Sequence, residues 1–364
     1  MKGGETLGLY ARFLMVALVI GTTWVAYALL RSPIEPKAWV APPNPGLTGV
    51  FMPNDALARL TTVPMPAMGP EDVACDAEGF MYTGLVDGNV VRWQAGLDPQ
   101  IIANTGGRPL GMVVDPLGDL IIADAERGLI KMDPTGDIRV LVDQYQGQRL
   151  RFVDDLAIEQ SGRIWFSDAS QRFGFTDNLL DFFEGSMTGR LMSFDPTTNA
   201  LEVHMEGLFF ANGITLGPGD AFVLINETGL GRVQRYWLTG ERAGSSELFI
   251  EHLPGTPDNI NFDGVDTFWI AMPSLRSSID AMANMPWLRR LISVLPSSWL
   301  AVAADVSSFV IAVNLDGKVT ANLQDPELGY NYITSATPCG DTLWLGSLHM
   351  RSVAKLPMPK KFIQ

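Results

Sequence analysis

The sequence predicts an all-β chain: a six-bladed β-propeller behind an N-terminal transmembrane helix, with a helical lid insertion. Three observations lead there: an uncharged apolar run near the start, six imperfect copies of a strand-turn-strand unit, and no helix-period segment between successive strands, which excludes an α/β alternation. The 364 residues are 47 % hydrophobic and 18 % charged, enough to bury a large core and incompatible with disorder. A formal net charge of −14 leaves no surplus of Lys and Arg to meet phosphate backbones, so no nucleic-acid partner is expected. Cations or neutral small molecules are the natural ligands.

After a short segment, residues 1–12, the apolar run occupies residues 13–30, FLMVALVIGTTWVAYALL, between Arg12 and Arg31. As a helix rising ~1.5 Å per residue it nearly spans a hydrocarbon core of ~30 Å. It reads as a membrane anchor, although Ala26 and Ala28 resemble a signal-peptidase site and leave a cleaved, secreted form open. Lys2 and Arg12 on one side and Arg31 and Lys37 on the other barely bias the orientation. With the bulk of the chain after the span and no second apolar run, the propeller is expected on the non-cytoplasmic side, periplasmic or luminal/extracellular. Residues 31–54 contain SPIEPK and APPNPG, part of a Pro-rich stretch that reads as a semi-rigid tether. Cys75 and Cys339 have no CxxC spacing, and one disulfide or two buried thiols are equally open.

The propeller takes residues 55–364. Its repeats begin at Glu71 (EDVACDAEGFMYTG), Leu110 (LGMVVDPLGDLIIADA), Asp154 (DDLAIEQSGRIWFSDA), Asn212 (NGITLGPGDAFVLINE), Asp258 (DNINFDGVDTFWIAMP) and Ile333 (ITSATPCGDTLWLGS). Each unit has an alternating strand, a Gly- and Asp-rich turn and a second, β-branched or aromatic strand, at a spacing suited to propeller blades. The first strand of a blade lines the central channel, so the residues that open these strands form a ring at one mouth. Read in order, that ring is Glu71, Leu110, Asp154, Asn212, Asp258 with Asn259, and the region Ile333 to Ser335. Asn212-Gly213 and the PDN of 257–259 are also turn chemistry, but the shared offset argues for more. Carboxylates crowded in a channel cannot all ionise without a compensating cation, and oxygen donors without His or Cys favour Ca²⁺ over Zn²⁺. Asp258 and Asn259 are therefore read as metal ligands.

Turns between first and second strands are short and belong to the far face. Two connections returning to the ring's mouth are long, 168–188 and 273–306, and the second contains NMPWLRRLISVLPSSWL with apolar residues near helical spacing. Long insertions on a rigid scaffold usually carry function. This one reads as a lid or pocket helix touching the bilayer, or as a helix packed over the propeller.

Several segments in order, GPEDVACD, RPLGMVVDPLGDLIIADA, FVDDLAIEQSGRIWFSDAS, TGRLMSFDPTT, GLFFANGITL, RVQRYWL and LPGTPDNI, resemble the strictosidine-synthase-like branch of the gluconolactonase and paraoxonase superfamily, which includes the adipocyte plasma-membrane-associated proteins. The resemblance implies a six-bladed propeller, often hydrolysis of lactones or esters, and a channel calcium held by Glu71, Asp154, Asn212, Asp258 and Asn259. It also implies a second, structural calcium on Asp72, Asp155 and the carbonyl of Met112, unless the two carboxylates pair with backbone amides. Leu110 stands where a paraoxonase-type histidine is expected, so a His dyad is absent and Leu110 is read as a substrate contact. Thr334 lies near the place of the glutamate that strictosidine synthase uses, which argues against alkaloid-forming condensation.

The expectation is a calcium-dependent lactone or ester hydrolase in which the ion polarises a carbonyl and acidifies a water. Asp258 is the first candidate for base or nucleophile and His349 the second; Arg172 is read as a substrate contact or as half of a salt bridge. His204 and His252 fall outside the ring and are read as structural. The substrate is expected to be a hydrophobic or amphiphilic small molecule. The alternative is a non-catalytic, membrane-tethered binding or scaffold propeller stabilised by calcium.

Overall fold

The turns that punctuate the repeats are built by Asp or Asn side chains closing on the backbone. In the second repeat, Asp115 Oδ1 accepts the amides of Leu117 at 2.8 Å and Asp119 at 3.0 Å, and Gly118 takes a φ of +83°, which strains any residue with a Cβ. Each such turn reverses the chain into the next strand. In the computed structural model, which describes residues 3–276, 278–300 and 305–359, the result is six four-stranded antiparallel sheets arranged as propeller blades.

Blade 1 comprises Ala74–Cys75, Phe80–Gly84, Asn89–Gln94 and Gln100–Asn104. Blade 2 runs from Pro109–Val114 to Ile138–Val142, blade 3 from Val153–Ile158 to Ala200–Leu208, and blade 4 from Ala211–Leu216 to Ser246–Ile250. Blade 5 joins Ile260–Phe262 and Thr267–Ala271 to Phe309–Asn314 and Val319–Gln324. Second strands such as Ile164–Asp168 and Phe222–Glu227 are buried along their whole length because each sheet has a neighbour on both faces. The core is therefore a series of wedges between blades. Phe222, Phe249, Phe268 and Phe309 fill one, and Trp269, Leu323, Leu345 and Ala354 fill the next.

Blade 6 closes the ring. Its strands Ile333–Cys339, Thr342–Ser347 and Ser352–Pro357 take their outer partner from Thr61–Pro64, far upstream, in antiparallel register. A disulfide between Cys75 and Cys339, 264 residues apart with Cα atoms at 6.3 Å, ties the inner strands of blades 1 and 6 together. A crosslink of this kind typically contributes ~2–4 kcal/mol.

The N-terminal helix spans Gly3–Arg31, and within it Tyr10–Arg31 is long and apolar enough to cross a bilayer. The Pro-rich segment behind it is not a free spacer. Ile34 and Trp39 are buried, the amide of Lys37 donates to the carbonyl of Glu184, and the amide of Trp39 donates to that of Ala283. Both long insertions lie under it: the first holds a helix at Asn178–Glu184, and the second holds short helices at Ser278–Ala281, Pro286–Ile292 and Ser297–Leu300. Arg289 fastens these pieces into one cap. Its buried guanidinium donates to the carbonyls of Phe183 (2.7 Å), Met282 (3.1 Å), Ala283 and Glu184 (3.2 Å each) and Lys37, and stacks 4.1 Å over Trp39.

Candidate metal centre and mouth cavity

At the mouth, the inner strands of four blades carry a register shift, between Pro109 and Met112, Val153 and Leu156, Ala211 and Ile214, and Ile333 and Ser335. A bulge sets two residues against one on the partner strand, which frees both from the regular ladder. Asp155, inside one of these bulges, and Asp72, just ahead of the inner strand of blade 1, stitch blades together. Asp155 accepts the amide of Ile214 in blade 4 and that of its neighbour Leu156, both at 2.8 Å. Asp72 accepts the amide of Met112 in blade 2 at 3.3 Å and the hydroxyl of Thr337 in blade 6 at 3.4 Å. The blades approach so closely that a Cβ on Gly111 would collide with the Asp155 carboxylate. Asp72 and Asp155 thus each accept donors from the chain, and Met112 presents its N–H to Asp72.

The oxygen-bearing residues of the ring behave differently. Glu71, Asp154, Asn212 and Asn259 are buried, and Asp258 beside them is half-buried at the cavity. The Asn259 amide donates to Glu71 Oε1 at 2.8 Å. Glu71 Oε2, Asn212 Oδ1 and Asn259 Oδ1 are buried without any hydrogen-bond partner. Burial drives the Glu71 carboxyl well above its ordinary range, with Asp258, Asp154 and Asp72 adding to the effect. Asp154 rises through burial and then Asp258 and Asp155, while Asp258 is pushed up to about 7 by burial, against a hydrogen bond from Asn212. Buried Arg108 opposes the rise at Glu71 and Asp154, but its guanidinium donates to the carbonyls of Gly69 and Pro109.

Partnerless buried oxygens are rare in folded proteins. A mixed carboxylate and carboxamide set fits a hard, oxygen-seeking cation such as Ca²⁺. Among the described residues, no group of three or more His, Cys, Asp or Glu side chains forms a metal site by itself. The fit rests on the Asn oxygens as much as on the acids.

A cavity of about 630 Å³ opens at this mouth, and Asn212 and Asp258 belong to its wall. Phe182, Phe209 and Phe210 supply apolar surface, and the first insertion contributes Phe175 and Leu179. His349 also faces the cavity, edge-on to Tyr332 with ring centroids 4.2 Å apart. Burial lowers its pKa and favours the neutral imidazole.

Two family models match: "Strictosidine synthase" over residues 154–241 and "Strictosidine synthase-like, N-terminal" over residues 49–93. The adipocyte plasma membrane-associated protein of Gallus gallus is 33 % identical over 357 residues, covering 91 % of this chain and 86 % of that protein. The chain belongs to the strictosidine synthase-like family. Protein STRICTOSIDINE SYNTHASE-LIKE 4 of Arabidopsis thaliana is 36 % identical to this family member over 299 residues, 80 % of each. Among solved structures, a gluconolactonase from Xanthomonas campestris superposes with a TM-score of 0.62 at 16 % identity, over 83 % of this chain and 89 % of its own. The calcium-binding protein regucalcin from Agrobacterium tumefaciens gives 0.57 at 15 %, over 81 % and 90 %. At these identities the likeness establishes the propeller fold that this strictosidine synthase-like chain shares with lactonases.

The structure gathers Glu71, Asp154, Asn212, Asp258 and Asn259 at one mouth and sets His349 in the wall of the cavity that Asp258 also lines. Two expected substrate contacts lie elsewhere. Leu110 is buried among Trp39, Phe152, Phe209 and Phe210, behind the cavity wall. Arg172 is held in a two-pronged ion pair by Glu184, at 2.8 and 2.9 Å, which takes the salt-bridge alternative and leaves it off the wall. His204 bonds Ser193 at 2.8 Å and packs on Trp165, and His252 is outside the cavity wall. Sequence reasoning missed Phe210 and Tyr332. Both stand two residues before a ring position, in left-handed backbone (φ +60° and +53°) just ahead of an inner strand, and the same offset yields Arg108 and Phe152.

Proposed function

We propose that this protein is a calcium-dependent hydrolase of lactones or esters, anchored to a membrane with its propeller on the non-cytoplasmic side. The observation that carries the reading is the ring itself: buried carboxyls and partnerless oxygens beside an apolar cavity. Glu71, Asp154, Asn212, Asp258 and Asn259 would hold the ion. When bound, the cation supplies a Lewis acid that polarises a carbonyl and makes a water more acidic. Asp258 borders both ring and cavity, so its carboxylate is the group to accept a proton there, and neutral His349 is the second acceptor. The aromatic walls exclude bulk water and take the hydrophobic part of the substrate. Relatives described as a gluconolactonase and as a calcium-binding protein support the reaction class and the ion. A disulfide persists in oxidising compartments, which together with the apolar helix and the plasma-membrane-associated relatives supports the location.

The test is turnover on a panel of lactones and aryl esters, with and without chelator, for the wild type and Asp258→Ala. Hydrolysis that chelator abolishes and Asp258→Ala lacks is expected. A chain that melts higher with Ca²⁺ yet turns over nothing on the panel is instead a calcium-stabilised binding propeller.

A further inference from the structure

We infer that the second insertion is an independent membrane contact, in which Trp287 and Trp299 sit among lipid headgroups and hold the cap against the bilayer. This rests on the N-terminal helix being a membrane span, and it adds a side for substrate entry to the hydrolase reading. Trp287 is 63 % exposed and Trp299 67 % exposed, on two short helices of the same insertion. Two exposed Trp rings on one insertion offer apolar surface of the kind a bilayer or a partner covers.

What covers it follows from the attachment to the span. Helix Pro286–Ile292 packs on the N-terminal helix: Arg290 donates to the carbonyl of Leu29 at 3.1 Å, and Ser293 Oγ lies 2.9 Å from Ser32 Oγ. Leu29 is in the last turn of the apolar segment. Residues three apart share a helix face, so Trp287 stands one turn from Arg290 on the face turned to the end of the span. On the span itself Trp24 and Tyr27 are partly exposed with rings 5.9 Å apart, an aromatic pair of the kind that marks a bilayer interface. The carbonyls collected by Arg289 hold the insertion helix in place. Trp and Tyr favour the headgroup zone because one end of each ring is apolar and the other polar. Next to Trp299, Leu300 lines the cavity, so one short helix presents one residue to the bilayer and the next to the cavity. A substrate dissolved in the membrane reaches the cavity without crossing bulk water.

The full-length chain in phosphatidylcholine nanodiscs tests this without reference to activity. Trp287→Cys and Trp299→Cys, labelled with an environment-sensitive fluorophore, are compared with Leu117→Cys, 82 % exposed in a far-face turn of blade 2; the native cysteines are paired. Quenching by lipids brominated on the acyl chain should be several-fold stronger at 287 and 299 than at 117, and quenching by iodide several-fold weaker. If iodide quenches 287 and 299 as readily as 117, the inference is overturned. Protection from both quenchers, the result for a second copy or a protein partner on this face, overturns it equally. Should a labelled variant misfold, the bromolipid-quenched intrinsic fluorescence lost in Trp287→Phe/Trp299→Phe gives the same reading. A hydrolase that fails this test keeps its activity, and an inactive propeller passes it.

Discussion

The ring and the cap above it are both polar and both buried, yet they are short of opposite things. In the ring, Glu71, Asn212 and Asn259 each leave an oxygen without a donor, while Asp154 and Asp258 crowd the same space. In the cap, Arg289 brings a full set of guanidinium donors to backbone carbonyls, and Arg276 donates to Pro42 and Pro43 and to Asp280. The carbonyls of the cap take their charged donors from its own chain. On the proposed calcium reading the ring takes a positive charge brought from outside, so an ion should matter to the hub and leave the cap untouched.

The largest expected effect is at Asp258. Changing a residue that merely supports a ligand costs ~10–100-fold in metal affinity, so Asp258→Ala should lower Ca²⁺ affinity by more than about 100-fold in calorimetric titration, with hydrolysis lost. Near-unchanged affinity would place the ion elsewhere. The cap should fail by itself in Arg289→Ala. Several buried carbonyls lose a charged donor there, a loss of ~3 kcal/mol, so amides at 37–39 and 178–184 should exchange roughly 100-fold faster. The blade strand Ile164–Asp168 should keep its protection, and an equal loss there would erase the distinction between the two regions.

Next comes pH. Glu71, Asp154, Asp155 and Asp258 all have folded-state pKa values raised above their unfolded ones. Their contribution to stability is complete below the unfolded carboxylate range near ~4 and is lost as pH rises through the folded values, about 7 for Asp258. In chelator, the melting temperature should therefore fall by several degrees between pH 5.5 and 8. Saturating Ca²⁺ should flatten or reverse that slope, since binding the ion requires the ionised forms. The smallest effect is expected in Arg172→Ala. Its ion pair with Glu184 has a half-exposed guanidinium, worth ~0–1 kcal/mol, and turnover should be unchanged.

The hub was legible in the sequence because it is written six times. Alternation, Asp-Gly turns and a common offset placed Glu71, Asp154, Asn212 and Asp258 at one mouth before any coordinates. The cap is written once, and its partners are backbone carbonyls, which carry no residue identity: nothing in the sequence connects Arg289 to Lys37. The same holds for the outer strand Thr61–Pro64, whose partner begins at Ser352, and for Cys75, whose bond is made 264 residues away. Arg172 and Leu110 misled for a related reason. Each has a side chain suited to a substrate, but a neighbour within the fold, Glu184 for one and an aromatic cluster for the other, had already claimed it.

Calcium content bears on the account most directly. Full-length protein extracted in detergent, dialysed against trace Ca²⁺ and measured by elemental mass spectrometry should retain one tightly held ion per chain, and Asp258→Ala should retain none. A folded wild-type chain that takes up no ion even at millimolar Ca²⁺ would contradict it.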